Sequence, residues 1–225
     1  MKKKLLVLLV LLLAVTGCVS GKYNKEEAAE FKNTYESFNG KEIGEHKYRS
    51  VTIDKNNPFV KATDEEILKK IEAGDTFYVY FGDSKCPWCR SVIEEAIKVA
   101  KEEKVYTIYY VDIWDKDFNE IVRDKYELDK KGKVKKVKDG SEAYAKLLKK
   151  FDSLLSDYTL TDKEGNEVKV GEKRIYAPNY FFIQNGKAVK MTEGISKKQT
   201  DAFGKLTNEI LKDENKLFED FFKED

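Results

Sequence analysis

Two cysteines, Cys86 and Cys89, stand three positions apart in the middle of the chain, with Pro-Trp between them. A pair at this spacing serves either in thiol–disulfide exchange or as half of a metal site. A tetrahedral zinc site needs about four ligands. The 225 residues contain only one further cysteine, Cys18, and one histidine, His46, so the sequence favours redox chemistry. We expect neither a metal ion nor a cofactor.

The neighbouring residues predict that this pair lies at the start of a helix. Residues 76–81 form a continuous apolar run rich in aromatic residues, which is typical of a strand buried on both faces. Apolar residues then recur at helical spacing between 92 and 100, and residues 105–113 form a second apolar run. The order strand, helix, strand predicts a βαβ unit with parallel strands.

The start of a helix suits thiol chemistry. Unpaired backbone N–H groups and the helix dipole stabilise negative charge there, and the thiolate is the nucleophile in disulfide exchange. We therefore predict that Cys86 attacks and that Cys89, on the same side of the first turn, resolves the mixed disulfide. Pro87 suits the first helical position, where its missing N–H costs nothing.

The rest of the chain predicts further elements. A helix over residues 26–38 is followed by a strand over 47–53, and Thr63 with Glu66 predicts a capping box that opens a second helix. Residues 114–157 are charged and less regular, with a solvated basic turn at 129–133 and a helix from 141 to 155. Later predictions are a hairpin about Gly165-Asn166, strands 180–184 and 187–191 joined at Asn185-Gly186, and a closing helix over 197–211.

The N-terminus has the pattern of an export signal. Three lysines at 2–4 precede an uncharged apolar run over residues 5–15, which is too short to cross a bilayer as a helix. The run ends in Val-Thr-Gly-Cys18, which resembles the bacterial lipobox. The resemblance implies cleavage after residue 17, acylation of Cys18, and anchoring at the extracellular face of the cell membrane. We accordingly divide the chain into a signal peptide (1–17), a lipidated tether with a short helix (18–45), and one domain (46–225) with an insertion at 114–157.

The charge balance argues against nucleic acid as a class of partner. Loss of residues 1–17 removes three lysines, and the formal charge falls from +1 to −2. A nearly neutral chain with both signs of charge has no basic excess for nucleic acid. We expect no nucleic-acid partner.

With these elements in place, the chain resembles the thioredoxin fold over residues 60–212: a central mixed sheet flanked by helices, with a helical and loop insertion between its two halves. It is similar to the thioredoxin-like lipoproteins and bacteriocin-transport-accessory-type proteins of Gram-positive bacteria, in which Tyr-Phe-Gly also precedes the motif and Cys-Pro-aromatic-Cys-Arg forms it. The resemblance implies that Pro178 is cis and packs against the disulfide. It also implies that the backbone of Ala177 pairs with a substrate chain.

The sequence departs from the thioredoxin pattern at two positions. Lys85 stands where a tryptophan precedes the first cysteine, and Tyr80 stands where a buried aspartate is usual. Asp83 and Glu94 are alternative proton acceptors, but we interpret both as surface charges. Lys85 is expected either to lower the pKa of Cys86 or to be solvated. Trp88 is expected either to face a substrate or to pack against the insertion.

Two functions of different classes follow. The first is a membrane-anchored oxidoreductase that acts on protein thiols and disulfides, with a membrane electron carrier as its partner if it works as a reductant. The second is a binding or escort module for a secreted peptide or protein, in which the disulfide is only structural. Metal delivery through the two cysteines is a third hypothesis, which we favour least. The insertion is a candidate lid over the active site.

Overall fold

The computed structural model describes residues 21–114 and 119–223, so the predicted signal peptide and Cys18 lie outside the described residues. The α-helices in these ranges are α1 (Lys25–Glu36), α2 (Asp64–Glu72), α3 (Pro87–Glu102), α4 (Glu142–Phe151) and α5 (Asn208–Phe222). A turn of 3₁₀ helix, Asp152–Leu154, extends α4. The strands are β1 (Glu42–Ile43), β2 (His46–Lys47), β3 (Phe59–Lys61), β4 (Phe77–Gly82), β5 (Ile108–Asp112), β6 (Lys125–Leu128), β7 (Val134–Lys138), β8 (Asp157–Thr161), β9 (Glu167–Lys173), β10 (Asn179–Gln184) and β11 (Lys187–Thr192).

Five strands form one mixed sheet in the order β11-β10-β4-β5-β3. Strands β3 and β4 both run parallel to β5, whereas β10 runs antiparallel to β4 and to β11. The predicted βαβ unit is therefore confirmed as β4, α3 and β5. The remaining strands pair in three small hairpins, β1-β2, β6-β7 and β8-β9.

Helices cover both faces of this sheet. Side chains of α1, α3 and α5 join one core cluster, to which the sheet contributes Tyr80 and Tyr180 among other residues. Side chains of α2 and α4 join the other, together with Phe81 and Phe181 from the same two strands. Successive strand residues point to opposite faces, so a continuous apolar run is what two covered faces require. The architecture is α/β, as predicted.

The β10-β11 hairpin confirms the predicted turn. Asn185 and Gly186 both have positive φ angles, 50° and 72°, as a tight two-residue hairpin turn requires. A Cβ atom at Gly186 would overlap the carbonyl oxygen of Ile71 at the end of α2. The glycine is thus needed both for the turn and for its contact with the helix.

The capping predicted for the second helix is also confirmed. Thr63 is the N-cap of α2, its hydroxyl accepts a bond from the Glu66 N–H, and the Glu66 carboxylate accepts one from the Thr63 N–H. Two donors of the first turn are thereby satisfied.

The strand predicted over residues 47–53 is wrong. Only His46–Lys47 is a strand, in the two-residue hairpin with β1. Val51 and Ile53 are buried as alternation indicates, but their backbone groups bond to side chains of the preceding segment. The Asn39 side chain bonds both backbone groups of Val51, and the Glu36 carboxylate accepts from the Ile53 N–H. Side-chain partners therefore replace a neighbouring strand.

The closing helix predicted over 197–211 is wrong in position. The helix begins at Asn208, after the N-cap Thr207, and continues to Phe222. Before it, the side chains of Ser196 and Asp201 accept bonds from backbone N–H groups two residues on. Such local bonds hold the backbone in turns and compete with a helix.

The segment between β5 and β10 contains regular elements. The helix predicted at 141–155 is present as α4 with its 3₁₀ extension, and the hairpin about Gly165-Asn166 is present as β8-β9. The β6-β7 hairpin, whose tip is the basic turn at 129–133, is an addition to the prediction. Helix α4 packs into the core, so the predicted insertion contains a core helix. No helix in the described ranges is long and apolar enough to span a membrane.

Candidate active site

Cys86 is positioned by the junction between β4 and α3. It is the N-cap of α3, and its sulfur accepts a hydrogen bond from the Cys89 N–H at 3.4 Å. Pro87 occupies the first turn, as predicted. The loop before it is closed by Asp83, whose carboxylate accepts from the Lys85 N–H at 2.9 Å and whose carbonyl accepts from the Cys86 N–H at 3.2 Å.

The two sulfurs have opposite environments. Cys86 is half-buried, Cys89 is fully buried beneath it, and both are free thiols. A hydrogen bond from the Cys89 side chain lowers the pKa of Cys86, and backbone N–H groups of Cys89 and Trp88 act in the same direction. Burial raises the pKa of Cys89 well above its usual range, and Cys86 raises it further. Cys86 is therefore the more acidic thiol of the pair, and Cys89 is the one that holds its proton more tightly.

The segment before β10 meets this pair. The Cys86 thiol lies 3.4 Å from the carbonyl oxygen of Ala177, to which it donates. The Ala177–Pro178 peptide bond is cis, and Pro178 is buried whereas Ala177 is half-buried. The Asn179 side chain accepts from the Tyr176 N–H at 2.7 Å and so fixes this loop. The fold thus brings residues 86 and 177, which are far apart in sequence, into contact.

Lys85, directly before Cys86, and Trp88, directly before Cys89, are both half-buried. The ammonium of Lys85 lies 5.7 Å from the ring centroid of Trp114, a cation–π contact. Trp88 has no ring contact with another aromatic residue in the described part of the chain. Its carbonyl accepts a bond from the Ser91 hydroxyl within the first turn of the helix.

Tyr80, in the position where the resemblance expects a carboxylate, belongs to a buried group of four tyrosines around Cys89. Its hydroxyl lies 2.8 Å from that of Tyr35, and its ring stacks on Tyr180 at 4.3 Å and on Tyr110 at 5.4 Å. A contact between the Tyr80 hydroxyl and the Cys89 sulfur lowers the pKa of Cys89, against the effect of burial. Gly82 makes room for this ring, because a Cβ atom there would overlap it.

Asp83 is buried, so its interpretation as a surface charge is wrong. Only 3% of the residue is exposed, and burial raises the pKa of its carboxyl to about 6. The loop folds back between β4 and α3 and takes the side chain inside with it. Glu94, by contrast, is exposed, as expected, and its carboxylate accepts from the Thr52 N–H at 2.9 Å.

Arg90 is a structural residue that the sequence analysis does not single out. It is fully buried, and its guanidinium donates to the carbonyls of Arg49, Tyr35 and Ser84 at 2.8 Å and to the Asn39 side chain at 2.6 Å. These bonds join α1, the segment after β2 and the active-site loop to α3. The only signal in the sequence is an arginine directly after the second cysteine, on the side of the helix that packs inward.

A groove of about 520 Å³ opens beside Cys86. Much of its surface is apolar and comes from three separate segments, with Ile43, Tyr48, Ile113, Trp114, Tyr176 and Ala177 among its lining residues. Its charged lining residues include Asp83, Arg123 and Arg174. An apolar groove next to a reactive group is the usual form of a binding site.

Ion pairs anchor one wall of this groove. The Glu120 carboxylate pairs with both Arg123 and Arg174, and all three side chains are nearly buried. Arg123 also donates to the Ile175 carbonyl at 3.3 Å, and Arg174 to the Asp124 carbonyl at 2.8 Å. The residues after β5 are thereby tied to the loop that carries Ala177.

In comparisons with known proteins, no family model matches the sequence and no curated protein matches it significantly.

Proposed function

We propose that this protein is a thiol–disulfide oxidoreductase that acts on protein cysteines through Cys86 and Cys89. The observation that carries the proposal is the position of the Cys86 sulfur. It caps α3, accepts the Cys89 N–H at 3.4 Å, and lies 3.4 Å from the Ala177 carbonyl. A thiolate stabilised at a helix start, above a buried second thiol, is equipped for exchange with a disulfide.

The chemistry follows from the two environments. In the reducing direction, the Cys86 thiolate attacks a substrate disulfide, forms a mixed disulfide and releases one substrate thiolate. Cys89 then attacks the Cys86 sulfur, which closes the Cys86–Cys89 disulfide and releases the second substrate thiolate. The oxidising direction is the reverse of these two steps.

The arrangement of elements supports the finer assignment to the thioredoxin fold. Strand β4, helix α3 and strand β5 form the half that carries the cysteines, and β10, β11 and α5 form the half that carries Pro178. Helices α3 and α5 lie on one face of the sheet, and α2 and α4 lie on the other. On this assignment the hairpins β6-β7 and β8-β9 are additions on either side of α4.

The groove beside Cys86 supports a protein substrate. An extended chain that offers a cysteine to Cys86 would lie along Ala177, whose backbone stands at the thiol. Large apolar side chains next to the substrate cysteine would pack against the apolar walls of the groove. We therefore propose an unfolded or extended protein segment as the substrate class.

We further propose that the chain is exported and anchored to the cell membrane through acylated Cys18. The basic and apolar N-terminal pattern and the residues Val-Thr-Gly-Cys support this location. Labelling with radioactive palmitate in a Gram-positive host tests it. Label is expected on the wild-type protein and not on Cys18→Ser, and equal labelling of both would exclude the anchor.

The oxidoreductase function is tested by equilibrating the protein with glutathione buffers, with Cys86→Ser as the control. Reversible cycling is expected for the wild-type protein alone. A reduction potential of about −270 mV would indicate a reductant fed by a membrane electron carrier. One of about −120 mV would indicate that the protein forms disulfides in its substrates. If the pair does not cycle at any buffer ratio, the enzyme function is excluded and the binding module takes its place.

A further inference from the structure

The first described residues of the chain are packed against the domain. The rings of Tyr23 and Tyr106 lie with their centroids 5.3 Å apart, and both residues are half-buried. The Tyr106 ring also lies beside the backbone of Gly21, where a Cβ atom would be 3.5 Å from it, an ordinary van der Waals distance. The segment that was predicted as a tether is therefore attached to the domain from residue 21 onward.

This attachment lies at the end of the molecule opposite Cys86. Tyr106 precedes β5, which begins beside β4 at one edge of the sheet, whereas Cys86 follows the end of β4. Helix α3 joins the two ends, because Cys86 is its N-cap and Lys101, in its last turn, pairs with Asp54 next to Tyr23. A helix of 16 residues is about 24 Å long. Cys86 is therefore separated from the attachment by about that distance.

The link between the proposed anchor and this attachment is short. Gly21 is three residues after Cys18, and three residues span at most about 10 Å. A domain of about 200 residues has a radius of gyration of about 16 Å. Rolling the domain onto the side that carries Cys86 would lift Gly21 away from the membrane by more than its radius. A link of this length does not reach so far.

We propose, on the basis of the membrane anchor and the oxidoreductase function proposed above, that the end of the domain around Tyr106 rests on the lipid headgroups. Cys86 is then held about 25 Å above the membrane surface and faces away from it. The occupant of the Tyr106 end is the lipid surface itself, because the chain enters the domain at this point.

The side chains at the Tyr106 end are compatible with a lipid surface. Tyrosine is enriched where membranes meet water, and both Tyr23 and Tyr106 remain partly exposed. The exposed charges around them have both signs: Lys22, Lys55, Lys104 and Glu102. With mixed charges, the contact depends on the short link and not on attraction to anionic lipids. The orientation should therefore persist on neutral lipids and at about 0.5 M salt.

This orientation defines the class of partner that reaches Cys86. A cysteine or disulfide within the bilayer, or in a segment directly at its surface, is too low to meet the Cys86 sulfur. The substrate is therefore an exported protein, or a domain that projects well outside the membrane. A membrane electron carrier reaches Cys86 only through such a domain of its own.

The test compares two disulfide reagents on the acylated full-length protein, reduced and reconstituted in phosphatidylcholine vesicles. One reagent is soluble 2,2′-dithiodipyridine, and the other is phosphatidylethanolamine with a pyridyl disulfide on its headgroup. Attack by Cys86 on either releases pyridine-2-thione, which is followed by absorbance. The test variant has about 24 Gly and Ser residues inserted between Ser20 and Gly21, a segment with a mean reach of about 27 Å. Its matched control has the same insertion between Lys131 and Gly132, in the exposed β6-β7 turn.

The wild-type protein and the control insertion should react with the soluble reagent but only slowly with the lipid reagent. The insertion after Ser20 should speed the lipid reaction roughly tenfold or more and leave the soluble reaction unchanged, because a link that spans the distance raises the effective concentration. A second readout does not depend on the thiols. Both tryptophans, Trp88 and Trp114, lie at the Cys86 end, so headgroup spin-labelled lipids should quench their fluorescence only in the variant with the longer link.

Each way of failing has its own signature. If the wild-type protein reacts with the lipid reagent as fast as the variant with the longer link, or its tryptophans are quenched equally, the orientation is wrong. If the longer link leaves the lipid reaction slow while a lipid reagent on a long polyethylene-glycol spacer reacts, the short link does not hold the domain. Flotation of Cys18→Ser with vesicles as complete as that of the wild-type protein would remove the anchor. Reaction with the soluble reagent no faster than that of Cys86→Ser would remove the oxidoreductase function, while the tryptophan readout would still decide the orientation.

Discussion

At the scale of single residues, the half-buried Cys86 thiol lies above the fully buried Cys89 and a group of buried tyrosines. Cys86 is stabilised by hydrogen bonds at the start of α3, and Cys89 is enclosed by tyrosine rings. The bond between Tyr35 and Tyr80 is buried, and the Tyr80 hydroxyl also meets the Cys89 sulfur. The Tyr80 hydroxyl thus places a hydrogen-bond donor below the thiols without a buried charge.

We predict that the Tyr35–Tyr80 bond stabilises the reduced protein by about 1 kcal/mol, the usual worth of a buried hydrogen bond. Urea unfolding of Tyr35→Phe, Tyr80→Phe and the double variant measures this as a coupling energy. The double variant should lose less stability than the sum of the single variants, because the second change removes a hydroxyl that has already lost its partner. Strictly additive losses would show that the two hydroxyls do not cooperate.

At the scale of elements, Arg90 determines how α3 is held. Its guanidinium bonds to three backbone carbonyls and one side-chain amide, all from segments that precede the helix in the chain. A planar group with several donors at fixed angles meets such a set, whereas an ammonium does not. The orientation of the helix that carries both cysteines therefore depends on one buried side chain.

We predict that Arg90→Lys lowers the free energy of unfolding by roughly 2–4 kcal/mol, because several buried acceptors lose their donors. Chemical denaturation measures the loss. Lys98→Ala on the same helix is the control, and it should change stability by less than about 0.5 kcal/mol because its ion pair with Glu95 is exposed. Equal effects of the two changes would contradict the role given to Arg90.

The groove is assembled from separate elements, and Trp114 supplies one of its large apolar surfaces. We predict that Trp114→Ala lowers kcat/KM for reduction of an unfolded protein disulfide by about tenfold, the worth of roughly 1.4 kcal/mol of lost contact. Turnover of a small disulfide should be unchanged, since it does not fill the groove.

Val137→Ala is the matched control for this change, because Val137 is an exposed apolar residue on β7 and does not line the groove. It should leave both activities at the wild-type level. If Trp114→Ala affected small and protein disulfides equally, the groove would have no part in binding the substrate chain.

At the scale of the whole molecule, stability depends on buried carboxyls as well as on the two core layers. Glu214 on α5 is fully buried, and its two oxygens have no hydrogen-bond partner in the described part of the chain. Burial raises the pKa of this carboxyl to about 8, with a smaller contribution from Glu95. The folded protein therefore holds a proton on Glu214 under conditions in which the unfolded chain has lost it.

The sign of the resulting pH dependence follows from linkage. The contribution of Glu214 is fully present below about pH 4.5, its unfolded value, and is lost as pH rises through about 8. We predict that the wild-type protein loses about 2 kcal/mol of unfolding free energy between pH 6 and 8 through this group. Each pH unit changes the unfolding free energy by about 1.4 kcal/mol for every proton by which the folded and unfolded states differ.

Urea unfolding at both pH values tests this dependence. Glu214→Gln should flatten it and should be more stable than the wild-type protein at the higher pH. Glu209→Gln, an exposed change on the same helix, should keep the wild-type slope. A wild-type slope that survives in Glu214→Gln would assign the dependence to other groups, among them Asp83.

The amino-acid sequence by itself determined the local features of this protein. The apolar runs of β4 and β5, the capping box of α2, the Asn-Gly turn and the placement of Cys86 at the start of α3 all depend on near neighbours in the chain. Periodicity, capping and turn preferences carry that information. The same local rules failed where partners came from afar, as at residues 47–53, in which backbone groups bond to the side chains of Glu36 at the end of α1 and of Asn39, three residues further on.

Only the tertiary structure decided which side chains are buried together. It brought Ala177 to Cys86, enclosed Asp83 and Glu214, placed four tyrosines around Cys89 and surrounded Arg90 with carbonyls. Burial and distance to charged neighbours set the pKa of the titratable groups among them, and both depend on elements that are distant in sequence. The cysteine motif therefore predicts a thiol–disulfide reaction, whereas the groove beside Cys86 and the burial of Asp83 exist only in the folded chain.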